Sequence, residues 1–327
     1  TDLTSHAVPA GALDALTAYH VRAYHVGGTT GATDWSNVVA FETTAPTGEE
    51  IFSTEGPHSF TVPAGVSEIS VVVVAGGGAG GGNAGGGGGG GGLRYGTFPV
   101  SPGETYTVTI PGGASGSGWI TASDGRLRGE NGGSVSFGTL CTAYGGTGGT
   151  NGKDDSGDAD YGPRGNGAGG SGGGGVGGDG GGTGGDGGDG LVYNGGAGGG
   201  GGAAGYSGNG GDGGDAGAPD GYAGADGSGG AGGGGGGGGD FGGNAGYGGD
   251  GGTVGLYGAG ASGAGGAGSH TSASNGRPGS GGDEGSLTSQ FGGGGNGARG
   301  NASGGYAHFG GVRVIWGPGR RYPDAAA

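Results

Sequence analysis

Four aspartates in one short stretch, Asp154, Asp155, Asp158 and Asp160, stand beside Gly157 and Gly162 and offer hard oxygen ligands in a loop. They are weak metal candidates: the spacing is not that of a calcium hand, and a solvated acidic turn explains the same residues. A second acidic motif, Gly184-Gly185-Asp186-Gly187-Gly188-Asp189-Gly190-Leu191-Val192, fits one nonapeptide of a calcium-binding β-roll. Calcium in that architecture sits between consecutive turns, and the flanking residues do not continue the pattern, so a single copy makes no site. The six histidines, His6, His20, His25, His58, His270 and His308, include no pair four apart. Cys141, the one cysteine, lies in an apolar strand pattern, and no serine occupies a nucleophile elbow. Matches to GxGxxG carry no information when 115 of 327 residues are glycine. No catalytic residue and no cofactor are expected, and the chain reads as non-enzymatic.

What remains is surface chemistry. Trp119, Tyr161, Tyr193, Tyr206, Tyr222, Phe241, Tyr247 and Tyr257 punctuate a glycine-rich body. Large rigid side chains give contact area at small entropic cost. The residues expected to contact a receptor are Tyr193, Asn194, Tyr206, Asp220, Tyr222, His270 and Arg277. The alternative, that the aromatics cover glycine edges and anchor turns, stays open at this point.

The elements that must position these residues are set by glycine at period three. Every third residue is glycine from Gly169 to Gly190, from Gly196 to Gly217 and from Gly221 to Gly242. Strict glycine at that period implies a crowded axis. Collagen is excluded because no proline occurs between Pro163 and Pro219. The pattern predicts polyglycine-II helices, with about three residues per turn and ~3.1 Å rise, whose N–H and C=O groups must find partners on neighbouring helices. The competing reading is a disordered glycine linker. The column Ala197, Ala203, Tyr206, Asn209, Asp212 and Asp215 is expected to face solvent.

Composition limits the rest. The net charge is −16, with one lysine, Lys153, so a basic nucleic-acid surface is excluded. A lone cysteine rules out an internal disulfide framework, and no apolar run approaches the ~20 residues of a membrane helix. At 29% hydrophobic residues the chain cannot build one ordinary core along its length. The apolar residues gather near the two ends, where they predict a β-frame. The run Val71-Val72-Val73-Val74, without polar alternation, predicts a central strand buried on both faces, with Val312 to Trp316 returning beside it.

Two resemblances follow from particular residues. Leu13, Thr17 and Tyr19, with Ala15 where a proline is usual, precede Trp35-Ser36 and a strand at Val38 to Thr43. This resembles the last three strands of a fibronectin type III domain and implies further strands upstream. The phrases FTVPAGVSEISVVVVAGGGAGGG, YGTFPVSPGETYTVTIPGG, GGSVSFGTL and GGVRVIWGPGR resemble the glycine-rich domain of bacteriophage virion proteins, over roughly residues 50 to 323. The segment Gly311 to Pro323 is similar to the C-termini of structural proteins of marine tailed phages. Similar polyglycine-II bodies occur in tail-fibre-tip adhesins of T-even-like phages, where loops at the distal end contact the host, and in the extracellular part of a class of receptor tyrosine kinases.

The expected architecture is mostly β or irregular with almost no α-helix: a partial fibronectin type III-like sandwich over residues 1–46, a β-frame over 47–145, a polyglycine-II bundle over 146–303, and a closing strand and tail over 304–327. The resemblance implies a rigid, homo-oligomeric virion appendage module in an extracellular particle, touching a host receptor or glycan and other virion proteins, without nucleic acid or membrane insertion. A self-assembling extracellular filament is the alternative, and an ice-binding protein the third.

Overall fold

The computed structural model describes residues 17–22, 37–42, 45–114, 120–121, 127–152, 167–191, 196–217, 222, 233, 235–236, 238, 248–267, 291–298 and 304–324. Among the described residues there is no α-helix, and the fold is all-β with irregular extended segments. Strand β1 (Ala18–Val21) pairs antiparallel with β2 (Val39–Glu42), and Tyr19 stacks on Phe41. Of the residues carrying the fibronectin-like resemblance, Leu13, Ala15, Trp35 and Ser36 lie outside the described set.

The next strands in order are β3 (Gly48–Phe52), β4 (Gly56–Thr61), β5 (Glu68–Val74), β6 (Leu93–Pro99), β7 (Thr105–Ile110), β8 (Ile120–Thr121), β9 (Leu127–Arg128), β10 (Val135–Phe137), β11 (Cys141–Ala143), β12 (Gly175–Gly177) and β13 (Gly311–Trp316). One sheet has the order β12-β11-β10-β7-β4 and another β3-β13-β5-β6, while β8 and β9 form a separate pair. β4 and β5, consecutive in the chain, belong to different sheets.

The tetravaline strand behaves as its composition requires. Val71 and Val73 enter the core between the two larger sheets with Phe60, Val108 and Phe137, whereas Val72 and Val74 join Leu93, Ile315 and Tyr206 on the opposite face. Each such burial stabilises by about 1.5–3 kcal/mol. β13 lies antiparallel to β5, with Val312 opposite Val73 and Val314 opposite Val71, so the two apolar segments occupy the middle of their sheet.

Beyond the strands the chain continues as straight glycine rods. Residues 75–82 extend β5, and residues 85–92 return to enter β6 after a turn at Asn83 and Ala84, both at positive φ. In the returning rod successive N–H groups point to different neighbours. Gly86 and Gly89 donate to Thr150 and Thr147, Gly87 and Gly90 to Gly188 and Gly185, and Gly88 and Gly91 to Gly295 and Gly292. The same neighbour recurs every third residue, as three residues per turn demands. The rod also accepts from the segments at 75–81, 170–173 and 198–204, which completes six neighbours.

That position explains the unbroken run Gly85 to Gly92. With six neighbours no column faces solvent, and a Cβ on Gly87, Gly88 or Gly89 would collide with the carbonyls of Gly199, Gly78 or Ser171. Both polarities occur. Gly184, Gly187 and Gly190 descend against Gly173, Gly170 and Gly167, while Gly198, Gly201 and Ala204 run parallel to Gly85, Gly88 and Gly91. The lattice draws on residues 75–92 and 129–134 as well as on the later glycine body.

The rod at 196–205 is a second interior member. It donates to the segments at 85–91, 208–214 and 249–252, and accepts from those at 185–191, 233–236 and 294–297. This corrects the expected solvent column: Ala197, Ala203 and Tyr206 are buried, and only Asn209, Asp212 and Asp215, on the outer rod that follows, are exposed.

Candidate functional site

The outermost rods lack neighbours on one side, so their outward N–H groups need other acceptors. Side chains supply them once per turn. Asn209 accepts from Thr183 N–H at 3.1 Å, Asp212 from Asp186 at 2.8 Å, and Asp215 from Asp189 at 2.8 Å. Asp186 and Asp189 in turn accept from Gly172 and Gly169, both at 2.8 Å. Thr147 and Thr150 accept from Ser171 and Ala168, and Asn131 from Gly148. Residues 184–191 of the acidic nonapeptide are therefore a stretch of rim, with both aspartates engaged as backbone acceptors.

The two ends of the lattice differ. At one end the rods merge into the sheets, and an aromatic cluster closes the junction. Tyr206 donates its hydroxyl to Gly255 O at 2.9 Å, accepts from Gly258 N–H at 3.1 Å, and stacks on Tyr322 with centroids 5.8 Å apart. Tyr322 donates to Leu256 O at 2.6 Å, and burial pushes its hydroxyl pKa well up. Arg313, fully buried, donates to Leu256 O and to Glu49 Oε2, and lies 4.1 Å above the Tyr257 ring. Hydrogen bonds from Arg313, and then from Arg320, hold the Glu49 carboxyl below its ordinary pKa against an opposing effect of burial. Tyr206 was expected at the receptor surface; it is instead part of this internal lock, because its rod is interior and the turn after it faces the sheet.

At the opposite end the rods turn. The Asn83–Ala84 turn lies there, with Asn83 donating to Gly152 O and Asn151 accepting from Gly82 N–H. Gly152 and Gly167, which bracket residues 153–166, are both at this end, as are the bridged pair Leu191 and Gly196, and Ala298 and Gly304. Tyr222 is 64% exposed; its N–H donates to Asp215 O and its carbonyl accepts from Gly238 N–H, close to this end. Tyr193, Asn194, Asp220, His270 and Arg277 lie outside the described residues, as do Asp154, Asp155, Asp158 and Asp160. The flanks of Tyr193-Asn194, of Asp220 and of Asp154 to Asp160 are at the turning end. Those of His270 and Arg277 are not bracketed there, since Phe291 belongs to the aromatic end.

Cys141 is buried, and burial pushes its thiol up to about 12, which leaves negligible thiolate near neutrality. Among the described residues no group of three or more His, Cys, Asp or Glu side chains is placed to hold a metal ion. The rim acceptors are the residues that reading by composition missed. Their signal is an oxygen-bearing residue at every third position on a rod beside another glycine rod.

Compared with known families, residues 53–255 match a family model described as a glycine-rich domain. No curated protein matches the chain.

Proposed function

Since the chain belongs to the glycine-rich domain family, we propose that it is a non-enzymatic attachment module of a phage virion appendage, in which a rigid glycine lattice carries its turns to a host cell surface. The observation that carries this reading is the polarity of the lattice. The sheets and the aromatic lock occupy one end, and the Asn83–Ala84 turn, the Leu191–Gly196 bridge and the flanking residues Gly152 and Gly167 lie at the other. Interior rods joined every third residue to six neighbours form a stiff body, and stiffness preserves the relative placement of the turns. Tyr222, exposed beside Asp215, together with Tyr193, Asn194 and Asp220, supplies the contact surface, with His270 and Arg277 as further contacts. The fibronectin-like ribbon at β1 and β2 is proposed as part of a spacer module.

The filament alternative needs bare glycine edges that pair laterally between copies. The rim acceptors at Thr147, Thr150, Asp186, Asp189, Asp212 and Asp215 weigh against it, because they occupy donors that a second copy would use. Labelled protein applied to a panel of bacterial cells tests the proposal: saturable binding to particular strains supports attachment. Absence of binding together with end-to-end or lateral polymers in electron micrographs supports the filament.

A further inference from the structure

We propose that the edge formed by residues 304–309 and 111–113 docks a proline-rich segment in the polyproline-II conformation, with a basic residue at one end of it. Tyr306 and Phe309 stand three residues apart on the outer rod that leads into β13, and are 68% and 44% exposed. At three residues per turn they share one column, about 9.3 Å apart along the rod. Within the rod, Gly305 and His308 donate to Asn296 and Gly293, and Ala307 donates to Ala114. Among the described residues Tyr306 and Phe309 donate no backbone hydrogen bond, so this column leaves two donors at the same ~9.3 Å repeat.

A polyproline-II ligand has that repeat. Its proline rings recur on one face every third residue and meet both aromatic rings, while its carbonyls present acceptors at the same interval. The contact continues the interface by which every rod in the lattice meets its neighbours, with the ligand taking the place of one more rod. Phe309 is preset for this role: it packs edge-on against Phe291, with centroids 5.9 Å apart and planes at 77°. The bed beside it is bare, since a Cβ on Gly113 would come within 3.5 Å of Phe309 Cβ. Glu55 stands at the end of that bed, its carboxyl carbon 3.0 Å from where a Cβ on Gly112 would lie. An exposed carboxylate there, in a chain of net charge −16, favours a ligand whose flanking residue is lysine or arginine.

The test is a fluorescence-anisotropy titration of the full chain with a labelled nine-residue peptide that repeats Pro-Pro-Ala and ends in arginine. Saturable binding is expected. Tyr306→Ala and Phe309→Ala should weaken it at least tenfold, and Glu55→Gln several-fold, while Val176→Ala, on the opposite sheet edge, binds as the wild type. Tyr306→Ala is the informative variant if Phe309→Ala lowers the melting temperature, because Tyr306 is the more exposed. Equal binding of a Gly-Ser peptide ending in arginine, or unchanged affinity in Tyr306→Ala, would overturn the proposal. So would a dimer in solution that Tyr306→Ala dissociates, which would give the edge to a second copy of the chain.

Discussion

Asp212 accepts the backbone N–H of Asp186 at 2.8 Å, in the position that the carbonyl of a further glycine rod would otherwise fill. The rod at 85–92 is glycine in every column, and the interior rod at 196–205 admits nothing larger than alanine, whereas a rim rod carries an acceptor in one of its three columns. Exposed oxygen-bearing residues such as Asp186, Asp189 and Asp212 thus mark the outer boundary of the body.

The first prediction concerns that acceptor. Asp212→Ala removes it and should destabilise by about 0.5–1.5 kcal/mol, while Asp212→Asn, which retains a side-chain carbonyl, should cost much less. Chemical unfolding of both variants checks this. Equal stability of Asp212→Ala and wild type would mean that the rim bonds are exchanged for water without loss.

Interior glycines should tolerate nothing. A Cβ on Gly88 meets the Gly78 carbonyl, so Gly88→Ala forces rods apart on a lattice already bonded on all sides. The expected loss is about 1–3 kcal/mol or more. Ser171→Ala, on the exposed column of a rim rod, should leave the melting temperature nearly unchanged.

The aromatic lock gives a separable test. Tyr206→Phe leaves Gly255 O and Gly258 N–H without their buried partner, at a cost of about 1–3 kcal/mol, and Tyr322→Ala should cost about 3–5 kcal/mol. Both changes lie at the sheet end. They should lower the melting temperature without altering cell binding of the protein that remains folded.

The ion pair between Glu49 and Arg313 predicts a pH dependence. Because the folded state holds the Glu49 pKa below its ordinary value of 4.5, its contribution is present above that value and is lost as pH falls through the lowered folded value. Thermal melts of wild type and Glu49→Gln should therefore differ near neutrality and converge in acid. A difference that persists undiminished in acid would place the effect in packing and not in charge.

Much of this was legible in the sequence, for definite reasons. The tetravaline run, without polar alternation, suits a strand buried on both faces, and glycine at strict period three suits close contacts between extended rods better than it suits a linker. What a linear pattern does not encode is the lattice address of each rod. Tyr206 shares a column with Asp212, yet one sits on an interior rod that turns toward the sheets and the other on the rim. The sequence likewise does not distinguish an aspartate that is merely solvated from Asp189, whose carboxylate accepts the Gly169 N–H. β3 escaped notice because Gly48–Phe52 carries two glutamates. Glu49 is there to meet Arg313 and Arg320.

The central claim is that the turning end of the lattice contacts cells, and one measurement addresses it most directly. Binding of labelled protein to a susceptible bacterial strain is compared for wild type, for a Tyr193→Ala/Tyr222→Ala variant, and for Ser171→Ala. The account predicts at least a tenfold loss of binding in the double variant at an unchanged melting temperature, with Ser171→Ala binding as the wild type does. Undiminished binding by the double variant would contradict it.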